Sequence, residues 1–105
     1  MKVPLQVTLR HMDPSPSLEG AIRARADKLD ETYSLIRCAV VVESPHHHAK
    51  KGRLFSARVS LTVAGAGIAV TQDPHEDPYV AVRQAFEAAR RRLAGSFARR
   101  RAKRP

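Results

Sequence analysis

Asp77-Pro78-Tyr79-Val80-Ala81-Val82-Arg83-Gln84-Ala85-Phe86-Glu87-Ala88-Ala89-Arg90-Arg91-Arg92-Leu93 reads as one amphipathic helix, and the surface needed to cover its single apolar stripe decides the fold. Asp77 suits the N-cap, because its carboxylate accepts the orphan amide hydrogens of the first turn, and Pro78 suits the first helical position. Val82, Phe86, Ala89, Leu93 and Phe97 then recur at spacings of four, three, four and four, the repeat of one helix face. Arg83, Arg90, Arg91 and Arg92 fall beside or opposite that stripe.

Working back towards the N-terminus, Phe55, Ala57, Val59, Leu61 and Val63 alternate with polar residues as a strand, Gly65-Ala66-Gly67 reads as a hairpin turn, and Ile68 to Gln72 returns as another strand. Ile36, Cys38, Val40 and Val42 form the apolar face of an earlier strand, separated from Phe55 by a Pro-, His- and Lys-rich loop over 44–52. Before it, Ser15 caps a helix that opens on Pro16, with Leu18, Ile22, Ala26, Leu29 and Tyr33 as its stripe and an Arg23–Asp27 pair at i, i+4 outside. Val3, Leu5, Val7 and Leu9 alternate as a first strand. The order is β-α-β-β-β-α. A right-handed crossover makes the first two strands parallel, and the rest continue as an antiparallel meander. The predicted class is α+β: two helices packed on one face of a four-stranded mixed sheet. Residues 1–98 form the domain, and 99–105 are expected to be a flexible basic tail.

The chain has 105 residues, 43% hydrophobic and 28% charged, which suits one soluble globular domain with a modest core. No apolar run approaches the roughly 18 residues of a membrane span, and no signal-peptide core opens the chain. A reducing cytoplasm is expected, with the single Cys38 as a buried structural thiol. The net charge of +9 is uneven. Residues 1–43 hold six basic and six acidic groups, 44–72 hold Lys50, Lys51, Arg53 and Arg58 with no acid, and 83–105 hold nine Lys or Arg against Glu87 alone. Self-repulsion on that scale costs stability and calls for a polyanionic partner, nucleic acid first. Asp73, Glu76 and Asp77 precede or cap the last helix, where its dipole favours negative charge.

His46-His47-His48 invites a metal reading, but consecutive residues in an extended loop point apart and no Cys or carboxylate stands at ligand spacing. The three imidazoles read instead as part of the Lys50-Lys51-Arg53 patch, able to hydrogen-bond phosphates and stack on unpaired bases. His75 with its neighbouring acids has no nucleophile at a defined spacing, and no phosphate loop, nucleophile elbow or dinucleotide fingerprint occurs. An enzyme is not expected, nor a cofactor, a metal or a small-molecule substrate.

Taken together, these segments carry a resemblance. Ser17-Leu18-Glu19-Gly20-Ala21-Ile22 leading to Lys28-Leu29-Asp30 and Tyr33 looks like the first helix of the ribosome hibernation-promoting factor or ribosome-associated inhibitor family. Asp77-Pro78-Tyr79-Val80-Ala81-Val82 resembles the Asp-x-Tyr-x-Ala-Ile/Val pattern opening that family's second helix. Val40-Val41-Val42-Glu43 to His48, then Lys51-Gly52-Arg53-Leu54-Phe55, is similar to a His-rich loop variant among its members. The resemblance covers about residues 3–98 and implies a stress- and stationary-phase translation inhibitor that binds small-subunit rRNA in the messenger and transfer RNA channel. The family's contact positions map onto Arg25, Lys28 and Arg91, with Arg83, Arg90 and Arg92 adding charge; Ala88 stands where some relatives are basic. Together with His46, His47, His48, Lys50, Lys51, Arg53 and Arg58, these form the expected RNA-binding set. Longer relatives add a dimerisation domain that joins two ribosomes. The rival reading is a general double-stranded RNA-binding module, favoured by the meander and basic helix but opposed by the opening strand.

Overall fold

The computed structural model describes residues 3–44, 47–48 and 52–102, with the backbone alone at 47–48, 52–53 and 100–102. Its elements are β1 (Leu5–Arg10), α1 (Pro16–Tyr33), β2 (Arg37–Glu43), β3 (His47–His48), β4 (Gly52–Arg53), β5 (Ser56–Val63), β6 (Ala66–Thr71) and α2 (Pro78–Ala102). The main sheet runs β1-β2-β5-β6. β1 lies parallel to β2 in the register Leu5↔Cys38 to Arg10↔Glu43, while β2–β5 and β5–β6 are antiparallel. The predicted class and topology therefore hold.

Both helix starts follow their capping chemistry. The Leu18 amide donates to Ser15 Oγ at 3.2 Å, and the Tyr79 amide donates to Asp77 Oδ1 at 2.8 Å. α1 ends on Ser34, left-handed at φ 53°, whose amide donates to the Asp30 carbonyl. Asp30 Oδ1 accepts the Leu35 amide at 2.7 Å, which turns the chain into β2. Arg23 makes its i, i+4 pair with Asp27 at 3.4 Å and also donates to the Val3 carbonyl at 2.7 Å, tying α1 to the strand-one edge of the sheet.

One face of the sheet carries the core. Cys38, Val40, Val42, Ala57, Val59, Leu61 and Val63 meet Ile22, Ala26 and Leu29 of α1 and Val82, Ala85, Phe86, Ala89 and Leu93 of α2, all buried. At the far end Tyr33 and Phe97 meet edge-to-face with centroids 5.2 Å apart. Burial pushes the Cys38 thiol up to about 11, against the opposing pull of the Arg23 guanidinium, so it stays protonated and inert at neutral pH.

Four details differ from the pattern reading. Leu35 takes the buried place at the start of β2, leaving Ile36 56% exposed. The hairpin turns on Ala64-Gly65, with Gly65 at φ 80°, and Ala66 already pairs with Val63. The stretch read as a loop contains a small β3–β4 ladder, His47↔Arg53 and His48↔Gly52, too short to carry a period-two pattern. α2 runs 25 residues, continuing through Arg99 to Ala102 past the expected Ala98 boundary.

Candidate nucleic-acid interface

Arg25 and Lys28 stand at i, i+3 on the flank of α1 that faces α2, and Arg90 rises from α2 opposite them. With Thr32 and Glu87 they wall a groove of about 280 Å³ floored by Leu29 and Phe86. The apolar floor holds the two helices together, and the rim bears three cations against one carboxylate. No side chain among the described residues hydrogen-bonds or ion-pairs with Arg25, Lys28 or Arg90, so their guanidinium and ammonium groups are available to an external anion.

Of the three contiguous arginines of α2, only Arg90 lines this groove. A helix turns about 100° per residue, so neighbours in sequence diverge. Arg91 and Arg92 fall on the other flank of α2, where with Arg99 and β6 they line a second groove of about 540 Å³. Arg92 Nη1 donates to the Ala69 carbonyl at 2.9 Å, fixing its guanidinium against the edge strand. Gly95 lies between Arg92 and Arg99, and a Cβ there would meet Arg99 Nη1 at 3.4 Å, an ordinary contact, so the Arg99 guanidinium folds back over Gly95.

Arg58 lies on the face of the sheet that no helix covers. Alternation along β5 turns Ala57 and Val59 inward and Arg58 outward, where it donates to Thr71 Oγ1 at 3.3 Å. Arg10, Val41, Glu43 and Ser56 complete an open depression of about 450 Å³ there. Arg83 is exposed on α2 outside all three concavities. Of the loop residues, His47, His48 and Arg53 belong to the β3–β4 ladder by backbone, whereas His46, Lys50 and Lys51 lie outside the described residues.

Sequence patterning missed Arg10, Thr32, Gly95 and Arg99. Arg99 was legible, since it stands seven residues after Arg92 and so on the same face; Arg10 and Thr32 needed the tertiary arrangement. His75 is occupied structurally. Its Nδ1 accepts the Asp77 amide at 2.9 Å, and its backbone pairs reciprocally with Phe55. Tyr79 Oη donates to Ser17 Oγ at 2.8 Å, joining the N-terminal turns of the two helices. Among the described residues no three His, Cys, Asp or Glu side chains gather as they would around a metal ion.

Several solved structures share this architecture, two of which show the extent of the likeness. A ribosomal subunit interface protein from Coxiella burnetii superposes with a TM-score of 0.72 at 14% identity, covering 91% of this chain and 99% of its own. The Thermus thermophilus Protein Y N-terminal domain gives a TM-score of 0.67 at 16% identity, covering 89% and 96%. No curated protein sequence matches the chain. The family described as sigma 54 modulation protein / S30EA ribosomal protein matches residues 5–101, almost the whole folded unit and every described basic groove residue, and the chain belongs to that family of ribosome-associated modulation factors.

Proposed function

We propose that this protein is a non-enzymatic, cytoplasmic inhibitor of translation that binds rRNA of the small ribosomal subunit in the messenger and transfer RNA channel under stress or in stationary phase. The observation that carries the reading is the placement of positive charge on three sides of one small body. Arg25, Lys28 and Arg90 line the inter-helix groove, Arg91, Arg92 and Arg99 the β6 flank of α2, and Arg10 and Arg58 the open sheet face. A partner that offered one flat surface would use one of these. A partner whose RNA walls enclose the protein would use them all.

Binding on this reading is electrostatic and exclusion is steric. Arginine forks bridge phosphate oxygens and displace condensed counterions, and the folded body then occupies the space that messenger and transfer RNA require. Asp73, Glu76 and Asp77, just ahead of α2, give the field a direction and orient the body on approach. The His46–His48 and Lys50–Arg53 segment adds an auxiliary contact.

The test is association with purified small subunits across a salt series, with messenger and transfer RNA as competitors and duplex RNA as the comparator. With six phosphates neutralised, affinity falls about a thousandfold between 50 and 200 mM salt. Salt-insensitive association, undisturbed messenger and transfer RNA occupancy, or equal affinity for plain duplex would each overturn the proposal.

A further inference from the structure

From the groove along the edge strand we infer that the β6 flank of α2 is a separate site for the phosphate backbone of a single-stranded nucleic acid, one that can be filled while the inter-helix groove is filled too. The inference rests on the reading of the chain as an RNA-binding factor and adds a second, independently loaded strand site to it.

Three features make this flank more than a charged surface. Arg91, Arg92 and Arg99 line it without an acidic side chain, whereas the inter-helix groove contains Glu87. Arg92 is held in place by its bond to the Ala69 carbonyl, and its guanidinium keeps further N–H donors for a ligand. A pinned guanidinium loses little freedom on binding, which favours affinity. Arg92 and Arg99 are seven residues apart, so about 10 Å along the helix axis, with the bare backbone of Gly95 between them. A linear polyanion can therefore lie between helix and strand along these cations, with the Arg92 guanidinium anchored at Ala69 and the Arg99 guanidinium folded back over Gly95.

The same contact argues against an acidic peptide added as a fifth strand. Strand addition needs the free backbone groups of an edge, and Arg92 already occupies the Ala69 carbonyl midway along β6. A sugar–phosphate chain needs only the cations. An extended strand suits the groove better than a duplex, whose width would carry its second strand away from these side chains.

The experiment titrates the isotope-labelled full chain with an octauridylate at low salt, following backbone amides and arginine Nε–H resonances. Saturable shifts are expected at Ala69, Thr71, Gly95, Arg92 and Arg99, with a midpoint distinct from those at Arg25 and Thr32. Gly95→Leu keeps the net charge and removes the space Arg99 uses; it should weaken the flank midpoint at least tenfold and leave the inter-helix midpoint unchanged. Arg99→Gln, at an exposed position, should weaken the flank severalfold and serves as the second test if Gly95→Leu perturbs the fold. Shifts confined to the inter-helix groove, or an unmoved flank midpoint in a folded Gly95→Leu and in Arg99→Gln, would overturn the inference. So would octaglutamate binding the flank as tightly as octauridylate, which would make it an acidic-peptide site. Loss of small-subunit binding with octauridylate still saturating the flank would strike the ribosomal reading alone.

Discussion

Replacing Arg25, Lys28 and Arg90 together by Gln strips the inter-helix groove of its cations while leaving its floor intact. All three are exposed, and the floor that joins the helices is Leu29 and Phe86, both buried. Each surface change should therefore alter stability by less than about 0.5 kcal/mol, and the melting curve should stay near that of the parent. The effect on binding follows from counterion release. Each lost phosphate contact lowers the slope of log affinity against log salt by about 0.9, so three lost contacts lower it by about 2.7. Between 50 and 200 mM salt, a parent making six contacts loses about a thousandfold and the variant only about fortyfold. The assay is equilibrium binding to purified small subunits at four or five salt concentrations, with folding checked by circular dichroism. Glu87→Gln supplies the opposite perturbation in the same groove, because it removes the one carboxylate there, and it should tighten binding severalfold at low salt. A triple variant that binds more weakly with an unchanged slope would mean that these side chains do not meet phosphates. A Glu87→Gln variant that binds no better would point the same way.

Phe86 is 4% exposed at the junction of both helices and the sheet, so Phe86→Ala should cost about 3–5 kcal/mol in chemical denaturation. Ser34 occupies a left-handed position that glycine adopts without a Cβ penalty, so Ser34→Gly should raise stability by about 1 kcal/mol, read as a higher denaturation midpoint. The Cys38 thiol, raised to about 11 in the fold from 9.0, favours folding below pH 9, and that contribution disappears as pH climbs to 11. Across that window the parent should lose about 2 kcal/mol more than Cys38→Ala, and a parallel loss in the two proteins would refute the shift.

The elements were legible wherever local chemistry and periodicity agreed. Ser15-Pro16 and Asp77-Pro78 mark helix starts by capping and by the fixed φ of proline, and both helices begin there. The strands β2 and β5 show their buried residues in strict alternation. The pattern failed where the chain changes direction. Ile36 keeps the period of Cys38, Val40 and Val42, but the left-handed turn at Ser34 delivers Leu35 to the core first. The β3–β4 ladder left no trace because two residues on each side define no period.

The surplus of positive charge was legible in the sequence, but its partition over the surface was not. The excess of Lys and Arg, which motivates the proposed polyanionic partner, is read from composition alone, since no fold is needed to count charge. Which cations act together is a different question, answered by rotation about α2 and by packing. Arg90, Arg91 and Arg92 are adjacent in sequence, yet Arg90 joins Arg25 and Lys28, some 65 positions away, while Arg91 and Arg92 join Arg99 and the edge of β6. The stripe Val82, Phe86, Ala89, Leu93 is what fixes this division, because seating it on the sheet leaves one flank of α2 towards α1 and the other towards β6. The apolar residues thus decide how the charged ones are grouped. An Arg90-Arg91-Arg92 triple replacement would cut into both grooves at once and remove the Arg92 anchor on Ala69, whereas replacement by groove separates them. The unit for any mutational reading of this surface is therefore the flank of α2, not the run of arginines.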